Sequence, residues 1–156
     1  MKIKELNKEQ LLINIRCATI NDSKSINSLS AHLGYKITSD NIATKRLEYL
    51  LESLNDNIWV LEKSNIIVGW IHVFTAHRVA SPSFNEIGGL VVDPKERNQG
   101  MGRKLVEFVV AESKSRHLEW RVRCNAQREE SHLFYEKIGF IKSKTQHVFT
   151  IIPNSI

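Results

Sequence analysis

At 156 residues, with 42% hydrophobic and 25% charged positions, the chain has the size and composition of one globular domain spanning 1–156, long enough to bury about two-thirds of its unfolded surface. No apolar run approaches the ~18 residues of a membrane span, and Met1 to Gln10 lack the apolar core of a signal peptide, so a cytoplasmic protein with no membrane partner is expected. The net charge of +5 invites a nucleic-acid partner, but no zinc finger, aromatic and glycine RNA motif or disordered basic tail accompanies it, so none is expected.

In chain order, Leu12, Ile13, Ile15, Cys17 and Ile20 predict a strand over residues 11–20. Asn21 or Asp22 then caps a helix whose Ile26, Leu29 and Leu33 share one face, with Gly34 as its C-terminal stop. Ser39-Asp40 opens a second helix with Ile42, Leu47, Leu50, Leu51 and Leu54 as its apolar stripe, closed by Asn55-Asp56-Asn57. Residues 58–62 and 66–74 read as a hairpin turning at Lys63-Ser64-Asn65, and residues 75–84 as a loop near a sheet edge, suited to substrate selection.

Residues 84–92 predict a strand interrupted by Gly88-Gly89. Mid-strand glycines weaken pairing, so they point to a bulge, a close backbone approach or packing under a bulky helix residue. Met101, Leu105, Phe108 and Val109 repeat at helical spacing over 101–116, and residues 117–124 alternate as a strand. Residues 129–138 form a last helix stopped by Gly139, and Phe140 onward returns as strands through Val148 to Ile152. Cys17 and Cys124 read as small buried hydrophobes, with a catalytic thiol at Cys124 as the alternative. The six histidines form no metal-spaced group, so no metal is expected.

Between the glycine strand and the helix lies Val91-Val92-Asp93-Pro94-Lys95-Glu96-Arg97-Asn98-Gln99-Gly100-Met101-Gly102-Arg103-Lys104-Leu105. Glycines let backbone approach a ligand closely, and the free N–H groups and dipole of a helix start favour an anion, so this turn reads as a phosphate cradle. It is not a Walker loop, because Gly102 is followed by Arg103-Lys104-Leu105. Nor is it a dinucleotide fingerprint, because Leu105 stands where a third glycine belongs. Lys95, Arg97, Arg103, Lys104, Lys114, Arg116, Arg121 and Arg123 gather mostly around it, which a phosphorylated cofactor explains as well as RNA would.

Arg97-x-x-Gly100-x-Gly102 resembles the acyl-CoA pyrophosphate loop of the GNAT family of N-acetyltransferases. The preceding Glu86-Ile87-Gly88-Gly89-Leu90-Val91-Val92-Asp93-Pro94 is similar to that family's central strand. The later Asn125-x-x-Arg128-x-x-x-His132-x-Phe134-Tyr135-Glu136-x-x-Gly139-Phe140 is similar to the closing motif of one branch. Asn98 stands where the loop often has a first Gly, and Ser131 where the branch usually has Ala. The resemblance implies an α/β fold of GNAT type: a mixed, mostly antiparallel sheet with a splayed parallel central pair and about four flanking helices.

The same resemblance implies acetyl transfer from acetyl-CoA to a primary amine by direct attack in a ternary complex. The amine must lose a proton, the oxyanion must be stabilised and the thiolate must gain a proton. Tyr135 matches the position of a phenol near the cofactor sulfur, and Glu86 that of a carboxylate that takes the amine proton directly or through water; a rim carboxylate is the other reading of Glu86. The implied cofactor contacts are the backbone of Leu90, Val91 and Val92, then Arg97, Asn98, Gln99, Gly100, Met101, Gly102, Arg103 and Lys104 for the pyrophosphate, with Asn125, Ser131 and His132 beyond. A small-molecule amine is the expected acceptor. A sensor that binds acetyl-CoA without turnover, and a toxin-like enzyme acting on charged tRNA or a protein amine, stay open, as does a homodimer.

Overall fold

The computed structural model describes residues 12–153, so residue 11 of the first predicted strand lies outside them. They fall into two compact units, one ending at Arg123 and the other beginning at Cys124.

The first unit is built on a five-stranded sheet in the order β1-β2-β3-β4-β5, comprising β1 (Ile13–Cys17), β2 (Asp56–Lys63), β3 (Ile66–Ala76), β4 (Phe84–Val92) and β5 (Glu119–Val122). The first three pairings are antiparallel and β4 with β5 is parallel. The β2–β3 turn is Ser64-Asn65, both at positive φ (53° and 63°), the twist a two-residue hairpin needs. Both strands run longer than their apolar cores suggest, because pairing extends to Asp56 and Ala76.

Helices α1 (Ser23–Ser30) and α2 (Asp40–Glu52) precede the hairpin, and α3 (Met101–Glu112) joins β4 to β5. The Ser39 hydroxyl accepts from the Ile42 amide and starts α2. Asp22 does not cap α1 with its side chain. Its carboxylate takes the Thr19 amide at 2.7 Å and both terminal nitrogens of Arg16 at 2.8 and 2.9 Å. After α1 a short 3-10 turn, Ala31–Leu33, ends at Gly34 with φ +87°, the expected left-handed stop.

One side of the core joins Ala18, Leu29, Leu47, Ile58, Val60, Trp70 and Val91, with Ile26, Leu33, Leu50 and Ile67 packed around it. From α3, Met101, Leu105, Val106 and Val109 are buried, and Phe108 meets Trp59 edge-on. The expected stripe of α2 is narrower than its apolar residues: Leu47 is buried, while Ile42, Leu51 and Leu54 are exposed. Cys17 is exposed too, because it ends the edge strand β1; Cys124 is half-buried.

The second unit holds α4 (Glu129–Lys137). Gly139, at φ +105°, ends it: the Phe140 amide reaches the Tyr135 carbonyl at 2.9 Å and the Gly139 amide the Glu136 carbonyl at 3.1 Å, a Schellman closure. The strands expected after Phe140 are not formed. Residues 140–152 pair with no strand, and Val148, Phe149, Ile151 and Ile152 are exposed. β-branched and aromatic residues favour a strand only where a neighbour completes the ladder, and none does so here. The fold class is as expected, with the parallel pair at the end of the described sheet instead of its centre.

Candidate active site

The parallel pairing ends partway along β4. β4 and β5 are in register from Phe84 opposite Glu119 to Ile87 opposite Val122, and β4 continues to Val92 without that partner. Gly88 is the first residue past the last pair. It is also the extra residue of a bulge, since His72 faces Gly89 while Val73 faces Ile87.

The glycines make room for cross-strand rings. A Cβ on Gly89 would lie 2.8 Å from two ring carbons of Trp70, and one on Gly88 would lie 3.0 Å from His72 Nδ1 and 3.2 Å from the Phe74 ring. The bulge and the close packing both hold, with the bulky neighbours coming from β3 rather than from a helix.

Backbone alternation sets which amides are open. The Asp93 amide donates to the Val68 carbonyl at 2.7 Å, so Val91, two residues earlier, also turns its amide toward β3. Leu90 and Val92 turn theirs to the side that β5 has left. The Val92 carbonyl on that side accepts from Arg97 Nε at 3.2 Å, which folds the Arg97 side chain back on the strand end.

The loop that follows is shaped by Pro94, which starts a 3-10 turn capped by the Asp93 side chain on the Lys95 amide. Asn98 and Gly100 then take left-handed backbone, φ +60° and +75°. Asn98 thus adopts the conformation for which a glycine would serve, as its short polar side chain permits. Gly100 is the N-cap of α3, no side chain caps that helix end, and the space where a Gly100 Cβ would stand is open. The first amides of α3, on Met101, Gly102 and Arg103, are therefore offered to an external acceptor at the positive end of the helix dipole. This fits a pyrophosphate. Arg103 pairs with Glu107 one turn on, at 2.8 Å.

Glu86 is buried on β4, and both its oxygens are held by Arg123, Nε at 2.7 Å and Nη2 at 3.0 Å. That hydrogen-bonded pairing raises the Arg123 pKa. On the same sheet face Arg121 lies over the Phe84 ring at 3.9 Å.

In the second unit, burial and then the Cys124 thiol push the Tyr135 phenol up, so the hydroxyl stays protonated and can only donate at neutral pH. Phe134 and Phe140 flank its ring edge-on. Burial also raises the Cys124 thiol, against a smaller opposing effect of Arg128, so it carries little thiolate. The Asn125 side chain accepts from the Gln127 amide at 2.9 Å, and the Asn125 carbonyl is bonded by His132 Nε2 at 2.9 Å. Ser131 lies in the first turn of α4, its amide bonded to the Arg128 carbonyl.

Two groups carry no motif in the sequence. Arg123 reads there only as part of a basic cluster, and its partner is visible only through the pairing of β4 with β5. His72 belongs to no motif; the one available signal was its place two residues before Phe74 in a strand that pairs with a glycine-bearing neighbour. Among the described residues no group of three or more His, Cys, Asp and Glu could hold a metal, and no helix is long and apolar enough to cross a membrane.

Residues 31–153 match the family model described as an acetyltransferase (GNAT) domain. No curated protein sequence matches the chain. Among solved structures, a transcriptional regulator from Bacillus halodurans C-125 superposes with TM-score 0.79 at 20% identity, covering 89% of this chain and 99% of that one. Glucosamine-6-phosphate N-acetyltransferase from Arabidopsis thaliana gives TM-score 0.76 at 24% identity, covering 90% and 99%. AAC(6')-Iy, in complex with the bisubstrate analog CoA-S-monomethyl-acetylneamine, gives 0.79 at 14% identity, covering 90% and 98%. At these identities the likeness establishes the fold.

Proposed function

Because the chain belongs to the acetyltransferase (GNAT) domain family, we propose that it transfers the acetyl group of acetyl-CoA to a primary amine of a small molecule, by direct attack in a ternary complex. The observation that carries this is the junction at the end of β4: left-handed Asn98 and Gly100 deliver an uncapped helix N-terminus beside a strand whose outer edge is unpaired from Gly88 to Val92. Bound acetyl-CoA supplies an activated acyl group and a thiolate leaving group.

On this reading the amides of Met101, Gly102 and Arg103 bind the pyrophosphate, with Gly100 leaving it room and Arg97, Asn98, Gln99 and Lys104 shaping and charging the loop. The outward amides of Leu90 and Val92 hold the pantetheine arm and the developing oxyanion, and Val91 keeps the strand in place through β3. Asn125, Ser131 and His132 complete the contacts assigned by resemblance. Tyr135 donates a proton to the departing sulfur. Glu86, charge-compensated by Arg123, is the fixed carboxylate of the acceptor side.

A small amine is favoured by two structural neighbours, one a glucosamine-6-phosphate N-acetyltransferase and the other an aminoglycoside N-acetyltransferase held with a bisubstrate analog. The family match spans both compact units, which supports a single transferase domain over the whole chain. The test is release of CoA thiol from acetyl-CoA across amino sugars, polyamines, amino acids, peptides and charged tRNA. Turnover on a small amine supports the reading. Turnover confined to peptide or tRNA moves the acceptor class, and tight acetyl-CoA binding with no turnover on any acceptor favours a sensor.

A further inference from the structure

We propose that His72 takes the proton from the attacking amine, with Asp56 as its positioning residue; this deepens the transferase reading and rests on it. His72 Nε2 meets Asp56 Oδ1 at 2.6 Å, and the Ser53 hydroxyl donates to the other oxygen, Asp56 Oδ2, at 2.6 Å. An ionised carboxylate only accepts, so the ring proton sits on Nε2 and the lone pair is left on Nδ1. Nδ1 has no hydrogen-bond partner among the described residues, and the side chain is 21% exposed.

The free nitrogen is turned toward β4. It lies 3.0 Å from where a Cβ on Gly88 would stand, and Gly88 is the residue at which β4 parts from β5. Any larger residue at position 88 would cover Nδ1; glycine leaves it uncovered beside the unpaired edge that the transferase reading assigns to the acyl group. The ring meets Asp56 from β2, Phe74 from β3 with ring centroids 5.8 Å apart, and Gly88 from β4, while Ser53 just after α2 holds Asp56. Glu86 stands opposite Phe74, already paired with Arg123.

Two other groups that could serve as base are occupied at both heteroatoms: Glu86 has both oxygens on Arg123, and His77 bonds Ser83 and Asn55 through its two nitrogens. In the step, the nitrogen–carbon bond forms, the carbon–sulfur bond breaks with its electron pair going to sulfur, and the proton released by nitrogen passes to His72 Nδ1. The resulting imidazolium faces the Asp56 carboxylate.

The experiment compares kcat, the KM for amine and acetyl-CoA affinity for the wild type, His72→Gln, His72→Ala with and without added imidazole, and Asp56→Asn. His72→Gln is expected to lower kcat about 10²–10⁴-fold with acetyl-CoA affinity within about threefold. Imidazole should restore part of the turnover of His72→Ala. Asp56→Asn, which keeps the ring in place, should lower kcat at least ~10-fold with little change in KM. If His72→Gln keeps kcat within about threefold of a wild type that does turn over, the assignment is overturned while the transferase reading stands. Should His72→Gln not fold, Asp56→Asn at wild-type kcat overturns it in the same way. A wild type that binds acetyl-CoA and acetylates nothing removes the transferase reading itself, and this assignment with it.

Discussion

Two residues carry separable parts of the proposed chemistry. Tyr135 has a phenol whose pKa is raised by burial, so it is a proton donor throughout the neutral range. Tyr135→Phe is expected to lower kcat about 10²–10⁴-fold while CoA affinity, measured by calorimetric titration, stays within about threefold. An unchanged kcat would make Tyr135 a packing residue between Phe134 and Phe140. Gly100 acts on binding instead, through its left-handed backbone and the open space before α3. Gly100→Asp puts an anion where a pyrophosphate is to sit, so CoA affinity should fall at least ~10-fold. Equal affinity in the variant would argue against this loop as the phosphate site. Both residues were legible in the sequence, because a fixed spacing of Gly and of aromatic positions survives in one dimension. Arg123 and Asp56 were not, because each matters through a partner on another strand, Glu86 at 37 and His72 at 16 residues' separation.

At the scale of elements, β4 is defined as much by what its glycines omit as by its apolar residues. A methyl group on Gly89 would meet Trp70 at 2.8 Å, inside van der Waals contact, and Trp70 is itself buried in the core. Gly89→Ala should therefore cost about 1–3 kcal/mol in urea unfolding through overpacking. A loss under about 0.5 kcal/mol would mean that the Trp70 ring swings aside freely. The glycine pair announced an irregular strand from sequence alone, and Gly34 and Gly139 announced their helix ends. The segment after Gly139 shows the converse. Val148, Phe149, Ile151 and Ile152 have strand character, yet their backbone forms no ladder, since propensity acts only when a partner edge is present.

On the scale of the whole molecule, Arg16 fastens separate parts of the first unit. Its guanidinium reaches Asp22 before α1 at 2.8 Å and Glu62 on β2 at 2.8 Å. Hydrogen bonding to Arg16 holds both carboxylates below their ordinary range, despite the opposing effect of burial. The folded pKa of each is depressed, so this contribution is complete above the unfolded values near 4 and is lost as pH falls through the folded ones. Arg16→Gln should thus be less stable than wild type at pH 7, with the gap narrowing progressively below about pH 4. Urea midpoints at pH 7, 5 and 3 would show this; a constant gap would mean that Arg16 stabilises by packing alone.

Sequence by itself determined the alternation of strands and helices, the helix stops and the glycine-bearing turn after β4, because each depends on neighbours within one turn or one strand. It also carried the family resemblance, through motifs spaced along the chain. Tertiary structure decided which edge of β4 is open, which of its amides face outward, that Glu86 is held by Arg123, and that His72 lies between Asp56 and Gly88. Those facts depend on register, and a register is a relation between strands that no single segment encodes.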